Sequence, residues 1–260
     1  MIGLICLALV VFFGIAVYND RKKRIKNYSL PPTTKQILET HVDFYKKLDD
    51  AQKLLFEARI KDFLANTTIR GVDVTVEDID KILIASGAII PIFAFPDWKY
   101  NNISEILLYK GTFDRSFHTD GGERNVLGMV GDGAMHREMV LSKPSVRTSF
   151  DNPNDGQNTV IHEFVHLLDK ADGATDGIPE YLLSQPAVIP WVNRIHETIE
   201  EMKKKQHSDI NMYGATNDAE FFAVISEYFF ERPDKLQANH PELFEMLQQM
   251  FLPKNTAPAK

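Results

Sequence analysis

Apolar side chains recur along this chain mostly at helical spacing, and the places where that spacing breaks mark its sheet and loops. Residues 1–18 hold no charged side chain and no Pro. As a helix they reach about 27 Å, close to the roughly 30 Å hydrocarbon core of a bilayer. The basic cluster Arg21-Lys22-Lys23-Arg24 comes after this run rather than before it, the order of an anchor and not of a secretory signal. The positive-inside bias then places the remainder of the chain in the cytoplasm. Pro31-Pro32 marks a linker within residues 27–34. Over residues 35–66 the apolar positions Ile37, Leu38, Val42, Phe44, Leu48, Leu54, Leu55, Ile60 and Phe63 predict two helices, and residues 76–88 predict another. From residue 90 to 149 the pattern shifts to Gly, Pro, aromatics and short apolar runs, predicting strands at 105–109, 125–130 and 138–142. Helices return at 159–170, 190–206, 219–231 and 241–251. This order predicts an α+β fold, mainly helical with a small mixed sheet, preceded by one N-terminal transmembrane helix. The expected organisation is an anchor over residues 1–20, a basic juxtamembrane segment and linker over 21–34, one domain over 35–253, and a flexible tail over 254–260.

Composition narrows the setting. The 36 Asp and Glu outnumber the 29 Lys and Arg, which argues against direct nucleic-acid binding. The basic run at residues 21–26 reads instead as a contact to lipid headgroups. The single Cys, Cys6, lies inside the apolar run, so no intramolecular disulfide can form and nothing calls for an oxidising compartment.

The candidate chemistry sits in Asn158-Thr-Val-Ile-His-Glu-Phe-Val-His-Leu-Leu-Asp169, which contains H-E-x-x-H. On a helix, His162 and His166 stack on one face a turn apart, where two neutral imidazoles can enter one tetrahedral Zn2+ site. Glu163 then borders the metal without ligating it, placed to act as general base toward a metal-activated water. A core helix with two hydrogen-bonded histidines is the competing reading. It is weakened by the surrounding Val160, Ile161, Phe164, Val165, Leu167 and Leu168, which make two His and a Glu costly without a partner.

A catalytic zinc takes three protein ligands and keeps one position open. Asp172 is near enough in sequence, but the position between His166 and Asp172 that needs a turn-forming Gly is Asp169, and the first Gly is Gly173. The better candidate is Glu220, on a helix capped by Asn217 or Asp218 and apolar except for Glu220, Ser226 and Glu227. Glu220 and Glu227 share a face about 10 Å apart, so one can ligate a metal that the other cannot reach. Asp169 is open between fixing an imidazole tautomer and ending its helix. Residues 137–146 are expected to form an edge strand that holds substrate by strand addition, with Pro144 suited to an edge.

Together, H-E-F-V-H-L-L-D and Y-G-A-T-N-D-A-E-F-F-A resemble the Mlc titration factor A family of zinc metallopeptidases, and the second half is also similar to the catalytic domain of anthrax lethal factor. The likeness extends from about residue 30 to 253. It implies a zincin-like domain with one Zn2+ per chain held by His162, His166 and Glu220. It implies Glu163 as general base and Tyr213 as a tyrosine reaching the reacting carbonyl, where a phenol can stabilise an oxyanion. The implied function is hydrolysis of peptide bonds in a peptide or protein substrate. The alternative it implies is a binding protein that sequesters a transcriptional regulator, with the zinc site structural or vestigial. The expected location is a single-pass cell-membrane protein with its catalytic domain facing the cytoplasm.

Overall fold

The structure is a computed structural model that describes residues 2–111, 128–130, 137–152 and 155–252; the side chains of residues 2–11, 13, 15 and 128–130 are also outside the description. The chain begins with helix α1 (Ile2–Asn27), then α2 (Thr34–His41), α3 (Asp43–Lys46) and α4 (Asp50–Asn66). Strand β1 (Thr68–Val72) and helix α5 (Asp78–Ile89) lead to β2 (Glu105–Tyr109), β3 (Gly128–Val130) and β4 (Glu138–Ser142). Helices α6 (Lys143–Asp151), α7 (Thr159–Asp169), α8 (Gln185–Lys205), α9 (Asp218–Glu231), α10 (Pro233–Asn239) and α11 (Pro241–Phe251) complete the fold. It is mainly helical with one small sheet, as an α+β chain should be.

Local chemistry sets several helix starts. Asp49 Oδ1 accepts from the Gln52 amide at 2.8 Å and Gln52 Oε1 accepts from the Asp49 amide at 3.1 Å, a reciprocal cap that starts α4. Asn158 Oδ1 accepts from the Ile161 amide at 3.0 Å to start α7, and Asn217 Oδ1 accepts from the Glu220 amide at 2.9 Å to start α9. The caps on α7 and α9 fix where the functional side chains of those helices begin.

The strand order is β1-β2-β4-β3. β1, β2 and β4 run parallel, with Ile69 beside Ile106 and Leu107 beside Val140, while β3 lies antiparallel to β4 with Met129 beside Val140. The expected edge strand over residues 137–146 is therefore corrected. Residues 138–142 form an inner strand, and Lys143 and Pro144 open α6. Pro at the first turn of a helix costs no hydrogen bond, so Pro144 marks a helix start rather than a sheet edge. The strand expected at 125–130 is seen at Gly128–Val130, and residues 125–127 lie outside the described residues. β1, α6 and α10 were not foreseen, and α8 begins at Gln185 with Pro190 inside it instead of starting at residue 190.

α7 is held from several sides. Its Phe164 packs on Phe63 and Tyr100 at ring centroid separations of 5.6 and 5.1 Å. Gly87 of α5 lets the two helices approach until a Cβ there would lie 2.4 Å from Val160 Cγ1, so any larger side chain would push α7 away. Asp80 of α5, fully buried, accepts from Arg147 Nε at 2.6 Å and faces Lys143 Nζ at 3.2 Å, tying α6 to the same layer. On the other side of α9, Trp191 and Phe251 flank Phe222 at 5.9 and 6.1 Å.

At the N-terminus, α1 continues into the expected juxtamembrane segment as far as Asn27, and Arg21 Nη2 pairs with Asp62 Oδ1 of α4 at 3.0 Å. Arg24 pairs with Asp20 at 2.6 Å. These two arginines engage carboxylates of the chain itself. No helix among the described residues is long and apolar enough to cross a membrane. The expected transmembrane helix is thus unsupported by the fold, and most of the side chains on which it rests lie outside the described residues, as does the expected tail at 254–260.

Candidate metal centre

α7 and α9 pack against each other and bring together the donors that the sequence separates by more than fifty residues. His162 Nε2 lies 3.0 Å from Glu220 Oε2, His166 Nε2 lies 3.1 Å from His162 Nε2, and His166 Nε2 lies 3.3 Å from the same Glu220 oxygen. These three atoms form a nearly equilateral triangle. Ligands bound tetrahedrally to zinc at about 2.0–2.1 Å would stand roughly 3.3–3.4 Å apart, so the triangle matches one face of such a tetrahedron. The three residues form a group that could hold a metal ion. Asp172 is not among them. Its two oxygens accept from the amides of Ala174 and Glu180 at 3.0 and 3.3 Å, in an exposed turn.

The donor set also fits a cation chemically. Glu227 Oε1 lies 2.7 Å from His162 Nδ1. When that nitrogen carries the proton and donates to Glu227, the neutral ring presents its Nε2 lone pair to the centre. Glu227 is in turn fixed by the Asn158 backbone amide, which donates to its Oε2. Glu220 and Glu227 stand two turns apart on α9, and the His162 ring spans the gap between them. Burial opposes charge on this imidazole, but the carboxylates of Glu227 and Glu220 outweigh it and hold its proton affinity well above the ordinary value. Burial likewise opposes charge on Glu220, yet its bonds to His162 and His166 hold the carboxyl well below its usual range. His166 Nδ1 is buried and meets no hydrogen-bond partner among the described residues, so the second ring lacks there the support the first one has.

Glu163, next to His162 on α7, is only 6 % exposed. Burial pushes its carboxyl up from the ordinary value, and the nearby His162 and His166 pull against that rise. Tyr213 sits on the 3-10 turn Met212–Ala215, half exposed, with its hydroxyl donating to Glu220 Oε1 at 3.2 Å and its ring 5.9 Å from that of His162. The turn packs closely on α9. A Cβ on Gly214 would meet Val224 at 3.2 Å. Glu227 and Asn158 are the participants that sequence reasoning did not assign. The apolar setting of Glu227 on α9 was the available signal, since a buried carboxylate requires a partner.

Asp169 fixes no imidazole. Fully buried, it accepts from the Gly177 amide at 2.8 Å through Oδ2, while its Oδ1 finds no partner among the described residues. Burial raises its carboxyl from 3.8 to about 7, against the lowering effect of the Gly177 amide. Because the folded chain keeps this proton while the unfolded chain releases it, stability falls as pH rises between about 4 and about 7 and levels off above. Asp169→Asn should remove that fall. Denaturant midpoints of chelated wild type and variant, compared from pH 4.5 to 8, should converge toward low pH and diverge in the variant's favour toward high pH. Parallel curves would show that the carboxyl is not perturbed.

A buried helix carrying two histidines a turn apart, faced by a glutamate from a second helix beside a small sheet, defines a metallopeptidase-like fold. The family model for glucose-regulated metallo-peptidase M90 matches residues 17–252, and the chain belongs to that family. It is 27% identical over 263 residues to "Uncharacterized protein slr2042" of Synechocystis sp., covering 94% of this chain and 95% of the relative. It is 28% identical over 190 residues to Mlc titration factor A of Pectobacterium atrosepticum, covering 69% of this chain and 70% of that protein. The Escherichia fergusonii protein of the same name is 32% identical over 158 residues, 56% of this chain and 58% of its own length.

Proposed function

We propose that this chain is a zinc-dependent peptidase in which His162, His166 and Glu220 hold one Zn2+ and Glu163 is the general base. The observation that carries this reading is the triangle of two imidazole nitrogens and one carboxylate oxygen, with edges of 3.0, 3.1 and 3.3 Å, next to a buried glutamate. When bound, the metal supplies Lewis acidity toward a peptide carbonyl and toward water. Glu163 takes the proton of the attacking water on its carboxylate and returns it to the leaving amine. Its raised proton affinity suits both transfers. The Tyr213 hydroxyl turns from Glu220 to donate to the developing oxyanion. Glu227 acts through His162, holding its ring and tautomer, and is a positioning residue. With β4 internal, the outer strand β3 beside α7 is the edge on which an extended substrate would pair.

Metal analysis of the purified protein, combined with peptide hydrolysis before and after chelation, tests the reading. Activity should vanish with the metal and return when zinc is restored; hydrolysis indifferent to chelation would end the proposal. Tyr213→Phe should retain metal and lower turnover, by up to roughly a hundredfold to a thousandfold. A higher KM at unchanged kcat would assign Tyr213 to substrate binding alone.

The relatives named Mlc titration factor A favour a second reading, in which the chain binds and sequesters a transcriptional regulator and the metal centre is structural or vestigial. Regulator binding that survives in Glu163→Gln while hydrolysis is lost would establish both roles in one chain.

We also infer that residues 1–20 anchor the protein in the cell membrane with the peptidase domain in the cytoplasm. The charge-free run of residues 1–18 with Arg21-Lys22-Lys23-Arg24 directly after it supports this orientation. The protein should stay with membranes through high-salt and alkaline washes, and external protease should digest the domain only after lysis. Release by salt alone would reduce α1 to a peripheral contact.

A further inference from the structure

A cavity of about 360 Å³ lies where the end of α1 meets α4 and the segment after α5, and the metal centre makes no use of it. Five cationic side chains line it: Arg21, Arg24, Arg59, Lys99 and Arg137. Only two carboxylates do so, Asp20 and Asp62. Asp62 is shared between Arg21 at 3.0 Å and Lys99 at 2.6 Å, and Asp20 is taken by Arg24. Arg59 is 9 % exposed and donates only to the backbone carbonyls of Ile92, Phe93 and Trp98 among the described residues. Positive charge therefore exceeds negative charge around a half-open space, a field that attracts an anion to it.

A second, independent feature points the same way. Tyr100 is 8 % exposed, lines the cavity, and its hydroxyl has no hydrogen-bond partner among the described residues. A buried hydroxyl without a partner costs stability, and an acceptor that drew it toward the cavity would satisfy it. Guanidinium forks, an ammonium and a phenol are all donors, so the complementary group is a multi-oxygen acceptor carrying more than one negative charge. Val17, Ile89, Ile92 and Trp98 supply apolar wall, which suits a carbon skeleton attached to that group.

We propose that this cavity is a binding site for a phosphate-bearing ligand, either the headgroup of an anionic lipid or a free phosphate ester. The two sources share the phosphate, which Lys99, Arg59 and Tyr100 contact, and differ in what occupies the apolar wall beside α1.

Trp98 gives a direct reading, because the other tryptophan, Trp191, is fully buried elsewhere. Full-length protein in a neutral detergent is titrated with inorganic phosphate, glycerol 3-phosphate and short-chain phosphatidylglycerol, with short-chain phosphatidylcholine as the neutral control. Trp98 emission and the thermal midpoint are recorded. Saturable changes with phosphatidylglycerol alone assign a lipid headgroup, and saturation by glycerol 3-phosphate or inorganic phosphate assigns a free phosphate. Lys99→Gln should weaken binding by roughly tenfold. Tyr100→Phe should not lower the ligand-free midpoint, since it removes an unsatisfied buried hydroxyl, but should weaken binding several-fold. A purely structural hydroxyl would show no such split. The proposal is overturned if no phosphate probe saturates, if phosphatidylcholine binds as well as phosphatidylglycerol, or if both variants bind as tightly as wild type.

Discussion

Glu163→Gln is expected to lower peptide hydrolysis by roughly two to four orders of magnitude while leaving bound metal unchanged. The amide keeps the shape and burial of the side chain but cannot accept the proton that attack by water releases. A loss of that size corresponds to about 3–5 kcal/mol of barrier, the range of a proton-transfer group and well beyond that of a packing contact. The substitution should not unfold α7, since the carboxyl already lies in surroundings that favour its neutral form. Single-turnover hydrolysis and metal content, measured on the same preparation, check the result. Unchanged turnover with full metal would remove Glu163 from the reaction.

The second large effect is expected in the metal itself. His162→Ala, His166→Ala and Glu220→Ala should each reduce zinc retained after dialysis to near background, because two donors cannot close a tetrahedral site with enough affinity. Glu227→Gln should give an intermediate result, weakening the metal by about 10- to 100-fold, as loss of the partner of a ligating imidazole does elsewhere. Asp172→Ala should retain zinc fully, since its carboxylate serves only the Ala174 and Glu180 amides. Competition with a chromogenic chelator gives the affinities, and circular dichroism separates loss of metal from loss of fold. Normal zinc in Glu220→Ala together with loss in Asp172→Ala would reverse the ligand assignment.

What could be read locally was settled by the chain itself. The 3.6-residue period of α7 puts His162 and His166 on one face whatever surrounds the helix, and Asn217 ahead of an apolar run fixes where α9 begins. From these, Glu220 stands out as a carboxylate that burial must pair with something. Other features had no local signature. β1 is a short, half-exposed segment with Arg70 and Gly71 at its centre, and it is a strand because β2 offers a parallel partner 37 residues further on. Pro144 is compatible both with an edge strand and with a helix start, and only the pairing of β3 with β4 decided between them. The basic run at the end of α1 has no local partner that explains Arg21, and Asp62, 41 residues away, lies within 3.0 Å of it. Glu227 reaches His162 across 65 residues, and Asp169 turns from the imidazoles to the Gly177 amide. Periodicity and capping act over one or two turns and are written in adjacent residues. Which carboxylate meets which cation or imidazole depends on how helices cross and strands register, and packing of the whole chain sets that.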